Sequence, residues 1–277
     1  MKLIDAINLA AETRPTWRTP KGVWIAPANS LRDHVIRLFG GNKQIKKITK
    51  GDLAAARTKL LLEKYKPATI NRILSFMNSV FTEMLDLEII DKHPKLKKLQ
   101  ENNQRKGFFT QEDIDQMVHA AKDIFQYNEL ADAILFSLYT GCRRANLLGL
   151  EVRDIDLIND TIEFRDTKNG ENYSTDIHPN LRDILVTRCD GEGPNYKIFD
   201  FTNGDQLLRQ FKKVRDYLEM DKKLVYHSLR HTTGTWLAER GVPVQNIAKV
   251  LGHKTLEMSM RYTHLSDKAR KSAIDSL

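Results

Sequence analysis

Between Tyr226 and Tyr262 the chain reads Tyr226-His227-Ser228-Leu229-Arg230-His231, then Leu251-Gly252-His253, then Arg261-Tyr262-Thr263-His264. An arginine flanked by imidazoles is a phosphate-binding group, because its planar fork matches two oxygens of an oxyanion. A tyrosine in such a basic setting is a candidate oxygen nucleophile. Two more cations stand upstream, Arg143 in Thr140-Gly141-Cys142-Arg143 and Lys168 in Thr167-Lys168-Asn169-Gly170. Gathered around one point, Arg143, Lys168, His227, Arg230 and His253 would bind a phosphodiester without a metal and stabilise a pentacoordinate transition state. Tyr262 would then attack phosphorus. Its phenol, with an ordinary pKa of about 10, needs a base or strongly positive surroundings to react near neutrality. The leaving oxygen needs a proton, which a lysine at a hairpin tip can bring.

Each of these residues falls at the end of an expected element. Gly141 allows a turn that sets Arg143 at the start of a short helix. Residues 161–165 alternate like a strand, Asn169-Gly170 is a hairpin signal, and Tyr173 to Ile177 is the return strand. His227 and Arg230 are three apart and share a helix face. Upstream, Thr110-Gln111-Glu112-Asp113 opens a helix with a capping-box pattern, and an apolar core helix is expected over 128–139. The first third reads as four helices with basic outer faces: one near residues 3–10, one capped by Ser30 and stopped at Gly40-Gly41, one opened by Thr49 and Asp52, and one started by Pro67. The fold class expected is mainly α with a small β-sheet. Residues 1–92 would form a helical domain, 93–106 a basic linker, and 107–277 a second, α+β domain.

Charge is divided along the same line. The 277 residues carry a net charge of +8, but residues 1–100 hold 19 Lys and Arg against 9 Asp and Glu. The remainder is nearly balanced. A polyanion-binding domain joined to a nearly neutral one fits this. Lys64, Lys66, Arg72, Lys97, Lys98 and Arg105 are the candidates for contacting phosphates, although any one of them also reads as an ordinary solvated cation. No run approaches eighteen apolar residues, so no membrane span is expected. Two cysteines, Cys142 and Cys189, fit a reducing compartment and a cytoplasmic protein.

Other readings of the same residues are weaker. His227 and His231 have the spacing of a zinc helix, but the glutamate of His-Glu-x-x-His is missing and Arg230 would repel a cation. Cys142 reads as a small core residue. Tyr262 alone would read as an aromatic packing residue.

In order and spacing, Thr140-Gly141-Cys142-Arg143, Thr167-Lys168-Asn169-Gly170, His227-Ser228-Leu229-Arg230-His231, Leu251-Gly252-His253 and Arg261-Tyr262 resemble the tyrosine recombinases, the group of phage integrases and Xer-type recombinases. The resemblance covers roughly residues 106–265, and the helical first domain resembles their core-binding domain. It implies that Tyr262 forms a 3′-phosphotyrosyl link, that Arg143 and Arg230 clamp the scissile phosphate, and that Lys168 is the general acid. His227 would assist proton transfer at the tyrosine and His253 would hydrogen-bond the phosphate. No cofactor is implied. The implied partners are a double-stranded DNA attachment site, three further copies of the chain in a tetramer on synapsed DNA (a monomer when free), and accessory DNA-bending proteins. Residues 266–276 would be an exchange helix docking on a neighbouring protomer. The sequence departs from the family pattern where Asn146 replaces a carboxylate, Cys142 an aliphatic residue and Ser228 a frequent Asp. Two alternatives share parts of this reading: a type IB topoisomerase, and a DNA-binding protein whose active site has been retired.

Overall fold

A computed structural model of the chain describes residues 1–101, 107–165 and 172–265, with the side chains of residues 264 and 265 excepted. It is mainly helical with one three-stranded antiparallel sheet among the described residues, as the patterning predicts. The chain divides into two compact units, residues 1–104 and 105–277.

The first unit packs α1 (Leu3–Glu12), α2 (Ala26–Phe39), α3 (Lys50–Leu62) and α4 (Pro67–Asp86) around Leu3, Ile7, Val35, Leu60, Ile70, Ile73, Met77 and Phe81. These apolar positions recur at helical spacing, so each helix buries one face. Thr49 and Asp52 close a full capping box on α3: the Thr49 hydroxyl accepts from the Asp52 N–H at 3.2 Å, and the Asp52 carboxylate accepts from the Thr49 N–H at 2.8 Å. The start of α2 differs from expectation. It begins at Ala26, four residues before Ser30, because Pro27 fits the first turn, where a missing N–H costs nothing.

Residues 92–101 contain neither helix nor strand, as a connecting segment would, yet they are not free of packing. Leu96 and Leu99 lie against the first core. The side-chain amide of the buried Asn71 pairs with the backbone of Leu99 in both directions, at 2.9 Å each way. The four lysines of this stretch conceal its two anchoring leucines, so a segment read as linker is tied to the first unit through Glu101.

The second unit opens at α5 (Gln111–His119), capped by Thr110 and Asp113. Next come α6 (Asn128–Thr140) and α7 (Arg144–Gly149), then strands β1 (Ile155–Asp156), β2 (Thr161–Phe164) and β3 (Tyr173–Asp176) in the order β1-β2-β3. Phe164 pairs with Tyr173, so both strands run up to the Asn169-Gly170 segment, which itself lies outside the described residues. Helices α8 (Pro179–Cys189), α9 (Gly204–Tyr217), α10 (Ser228–Glu239) and α11 (Val244–Val250) complete it. Phe109, Ile134, Phe136, Leu138, Phe164 and Phe211 form its core, where burial of each such side chain contributes about 1.5–3 kcal/mol. The contact that matters for the site is α6 against α10. The Thr233 hydroxyl donates to the Leu138 carbonyl at 2.6 Å, and the Tyr226 and Ser137 hydroxyls lie 2.6 Å apart. The first fixes α10, and the second the residues that lead into it, to the helix capped by Gly141.

No described helix is long and apolar enough to cross a membrane.

Candidate active site

The turn after α6 decides where Arg143 goes. Gly141 caps the helix with φ +62, and a Cβ there would lie 2.5 Å from the Leu251 side chain, so only glycine fits both the backbone and the space. Arg143 follows in extended conformation as the N-cap of α7. Its Nη2 donates to the Gly252 carbonyl at 3.2 Å. Arg230, on the first turn of α10 and 5% exposed, donates from Nη1 to the Gly141 carbonyl at 2.6 Å. Each arginine is thus aimed by the carbonyl of a glycine with positive φ, and both come from different ends of the fold to one place.

The electrostatics there are those of an anion-binding site. Burial, followed by the Arg143 charge, pulls the Arg230 guanidinium below its usual range. Burial and the charges of Arg230, Arg143 and Arg261 bring the His253 imidazole down to about 4. His253 is therefore neutral at pH 7. Its Nδ1 lies 2.6 Å from the Ser259 hydroxyl. If that hydroxyl donates, the ring carries its proton on Nε2, the nitrogen left to donate to an oxyanion. Arg143 Nη1 and Asn146 Nδ2 are buried with no hydrogen-bond partner among the described residues, and the Tyr173 hydroxyl, beside the Arg230 guanidinium, has no acceptor there for its proton. Buried donors are normally satisfied, so three left open in and beside one basic site call for an acceptor that the described residues do not supply.

Tyr262 sits in a 3-10 turn (Met260–Leu265) and is 4% exposed. Its ring lies on the Cα of Gly234 in α10, where a Cβ would be 2.4 Å from Cζ. Its hydroxyl is 3.4 Å from His231 Nδ1. Burial raises the phenol pKa, while Arg261 and then Arg230 oppose the rise. The nucleophile candidate therefore lies within the field of one clamp arginine, and the imidazole in hydrogen-bond reach of it belongs to His231.

Sequence reasoning named Arg143, Arg230, His253 and Tyr262, and these four converge. His227 is the exposed N-cap residue of α10. Lys168 and Arg105 lie outside the described residues. The reasoning missed His231, Tyr173, Ser259 and Gly234. His231 is visible in the sequence as an imidazole flanking Arg230 and as a possible zinc partner for His227, but nothing there pairs it with Tyr262. Among the described residues no three His, Cys, Asp or Glu side chains gather closely enough to hold a metal ion. Cys142 is core as expected: it is buried, and burial pushes its thiol up to about 11.

In the first unit, Lys64, Lys66, Arg72, Lys97 and Lys98 are all exposed. Arg72 and Lys98 line one open cavity of about 290 Å³ together with Trp17, Phe76, Asn71 and Glu101. Trp17 stacks on Phe76 with centroids 4.1 Å apart. An aromatic wall beside two cations is a surface that suits sugar–phosphate.

Comparison with known proteins agrees with this geometry. The model of the phage integrase family matches residues 107–269. Tyrosine recombinase XerA of Saccharolobus solfataricus is 38% identical over 46% of this chain and 43% of that protein, so the match spans less than half of that relative. The integrase of Escherichia phage P2 is 26% identical over 91% of this chain and 74% of that protein. Among solved structures, the Tn1549 transposon integrase in complex with a circular intermediate DNA superposes over the whole of both chains with a TM-score of 0.75 at 17% identity. A lambda integrase dimer bound to a COC′ core site gives 0.71 at 17% identity, covering 98% of this chain and 79% of that one. At such identities these two structures speak for the fold. The family model spans more than half of the sequence and contains the converging arginines, imidazole and phenol, and the chain belongs to the phage integrase family, the tyrosine recombinases.

Proposed function

We propose that the chain is a site-specific recombinase that cuts and rejoins duplex DNA of a phage or other mobile element through a covalent bond between Tyr262 and a 3′-phosphate. The observation that carries this reading is the pairing of Arg143 and Arg230 on two glycine carbonyls, with Arg143 Nη1 left open and Tyr262 within reach of the Arg230 charge. The two guanidiniums hold the non-bridging oxygens of the scissile phosphate and take up the charge that grows in the transition state. His253, neutral, donates to the same phosphate. The Tyr262 Oη–P bond forms, the P–O5′ bond breaks, and the 5′-oxygen takes a proton from Lys168. The phenol proton passes to an imidazole, with His231 in hydrogen-bond reach of it and His227 one turn earlier at the N-cap of the same helix. Rejoining is the reverse. The phosphotyrosyl bond retains the phosphodiester energy, so no nucleotide cofactor is required.

The basic first unit, with Lys64, Lys66, Arg72, Lys97 and Lys98, would hold one face of the duplex attachment site, and Arg105 would continue this charge toward the second unit. Residues 93–106 would link the two units. Four copies would assemble on synapsed DNA through residues 266–276, aided by DNA-bending proteins, in the cytoplasm of the host. The integrase of phage P2 and that of transposon Tn1549 are the relatives that favour a mobile element.

A nicked suicide substrate tests the chemistry. The protein should become trapped as a covalent DNA adduct carrying a free 5′-hydroxyl, and Tyr262→Phe should give none. Binding without any adduct would instead identify a DNA-binding protein with a retired site.

A further inference from the structure

Tyr173 is the first residue of β3, the edge strand of the sheet, and was read from sequence only as part of a return strand. Its ring packs on Phe164 across the strand pair, with centroids 4.9 Å apart. The ring also lies on Gly252, where a Cβ would come within 2.8 Å of two ring atoms. Gly252 has φ +57, and its carbonyl is the one that holds Arg143 Nη2. One glycine therefore touches both Tyr173 and Arg143 and sets them side by side.

The phenol oxygen of Tyr173 is buried beside the Arg230 guanidinium, which can only donate to it, so its own proton has no acceptor among the described residues; Arg143 Nη1 has no partner there either. A hydroxyl held so firmly, with its ring packed against both Phe164 and Gly252, has little freedom to turn toward a partner elsewhere. The nearby fixed charges are the guanidiniums of Arg230 and Arg143, so a group that satisfies both open donors must be an oxyanion. Burial pushes the Tyr173 phenol up to about 12 despite those charges, which keeps it a protonated donor at neutral pH.

We propose that Tyr173 is a further catalytic residue, whose hydroxyl donates a hydrogen bond to a non-bridging oxygen of the phosphate gripped by Arg143 and Arg230. This rests on the DNA-cleaving reading above as far as the identity of the phosphate goes. Asn146, in place of the usual carboxylate, gives Arg143 no ionic partner; the carbonyl of Gly252 aims the guanidinium instead, and Tyr173 adds a neutral donor beside it.

Tyr173→Phe removes the hydroxyl and leaves the ring on Gly252. Two measurements separate this proposal from the reading beneath it. In the first, inorganic phosphate is titrated into the protein by calorimetry. We expect the variant to bind about 5- to 10-fold more weakly than the parent, and equal affinities, or no binding by the parent, would overturn the proposal whatever the protein does to DNA. In the second, single-turnover cleavage of the nicked substrate is compared with a methylphosphonate at the scissile position. The variant should be about 10- to 30-fold slower on the phosphodiester and much less impaired on the methylphosphonate, which lacks one acceptor oxygen. Equal slowing on both substrates would assign Tyr173 a purely structural role and overturn the proposal. A parent that binds phosphate through Tyr173 but never forms an adduct would leave the contact standing and remove the recombinase reading.

Discussion

The ring of Tyr262 rests directly on the Cα of Gly234, so closely that a Cβ at that position would lie 2.4 Å from Cζ. The nucleophile is docked on α10 because α10 has no side chain there. Alanine at position 234 would favour the helix by about 1 kcal/mol, but its Cβ is fixed to a helix pinned by Thr233 and Leu138. The ring rides on a 3-10 turn and is the part that must yield. Gly234→Ala is therefore expected to expose Tyr262. Its nitration by tetranitromethane, followed by mass spectrometry, should rise several-fold, while the unfolding free energy from urea titration changes by less than about 1 kcal/mol because helix gain offsets lost packing. Unchanged nitration would show that the ring tolerates the methyl group in place.

The rate of attack by Tyr262 should depend on Arg261. Burial raises the phenol pKa, and Arg261 is the largest influence holding it down, ahead of Arg230. Removing a cation disfavours the phenolate, so Arg261→Gln should move the rising limb of the cleavage profile to higher pH. Since Arg261 is exposed and its charge is screened, the loss at pH 7.5 should be modest, about threefold, and should vanish only above the raised phenol pKa. A uniform loss at every pH would mean that Arg261 acts by contact with DNA and not through the phenol.

Much of this site was legible from sequence because its parts stand at element ends, where glycine and capping residues leave clear marks. Gly141 signalled the turn before Arg143, and the strands flanking Asn169-Gly170 pair as the alternation predicted. What was hidden is of another kind. Gly234 sits inside a helix, where a glycine reads as a mild propensity defect; its purpose is apparent only when Tyr262, 28 positions later, is seen lying on it. Tyr173 and Gly252 are likewise joined by packing across the fold. The anchoring of Leu96 and Leu99 was masked by neighbouring lysines, whose charge dominates any average over that stretch. Local chemistry is written locally, whereas the contacts that aim it come from residues distant in the chain.

His253 gives a dependence of stability on pH. Its folded pKa is brought down to about 4, by burial first and then by Arg230, Arg143 and Arg261, against an ordinary value of 6.5. A base with a depressed folded pKa is neutral in the native state, while the unfolded chain takes up a proton below 6.5. The unfolded state therefore binds more protons between pH 6.5 and 4, and stability falls as pH drops through that window. At this half-buried site solvent screening holds the effect to about 1–2 kcal/mol. Urea unfolding at pH 7 and pH 5 should show this loss in the parent and a smaller one in His253→Asn. Saturating phosphate should reduce it as well, because an anion beside the ring favours the imidazolium. Identical pH slopes for parent and variant would locate the acid sensitivity elsewhere.

In the first unit, Arg72 and Lys98 face one cavity walled by Trp17 and Phe76, although they are separated in sequence and lie on α4 and the segment after it. If both neutralise phosphates, each displaces condensed counterions on binding, and the slope of log affinity against log salt changes by about 0.9 per contact. Arg72→Gln and Lys98→Gln should each lower the magnitude of that slope by about 1, and the pair by about 2, in fluorescence anisotropy with a duplex at several salt concentrations. Affinity should fall by a similar factor on unrelated duplexes, because phosphate contacts carry no base information. Glu101 lines the same cavity and is held by the Asn71 amide at 2.6 Å, so Glu101→Gln should act in the opposite sense and strengthen binding at low salt. A slope unaffected by any of the three would place this cavity off the path of the DNA, and the excess charge of the first hundred residues would then have to act through the exposed lysines at the start of α4.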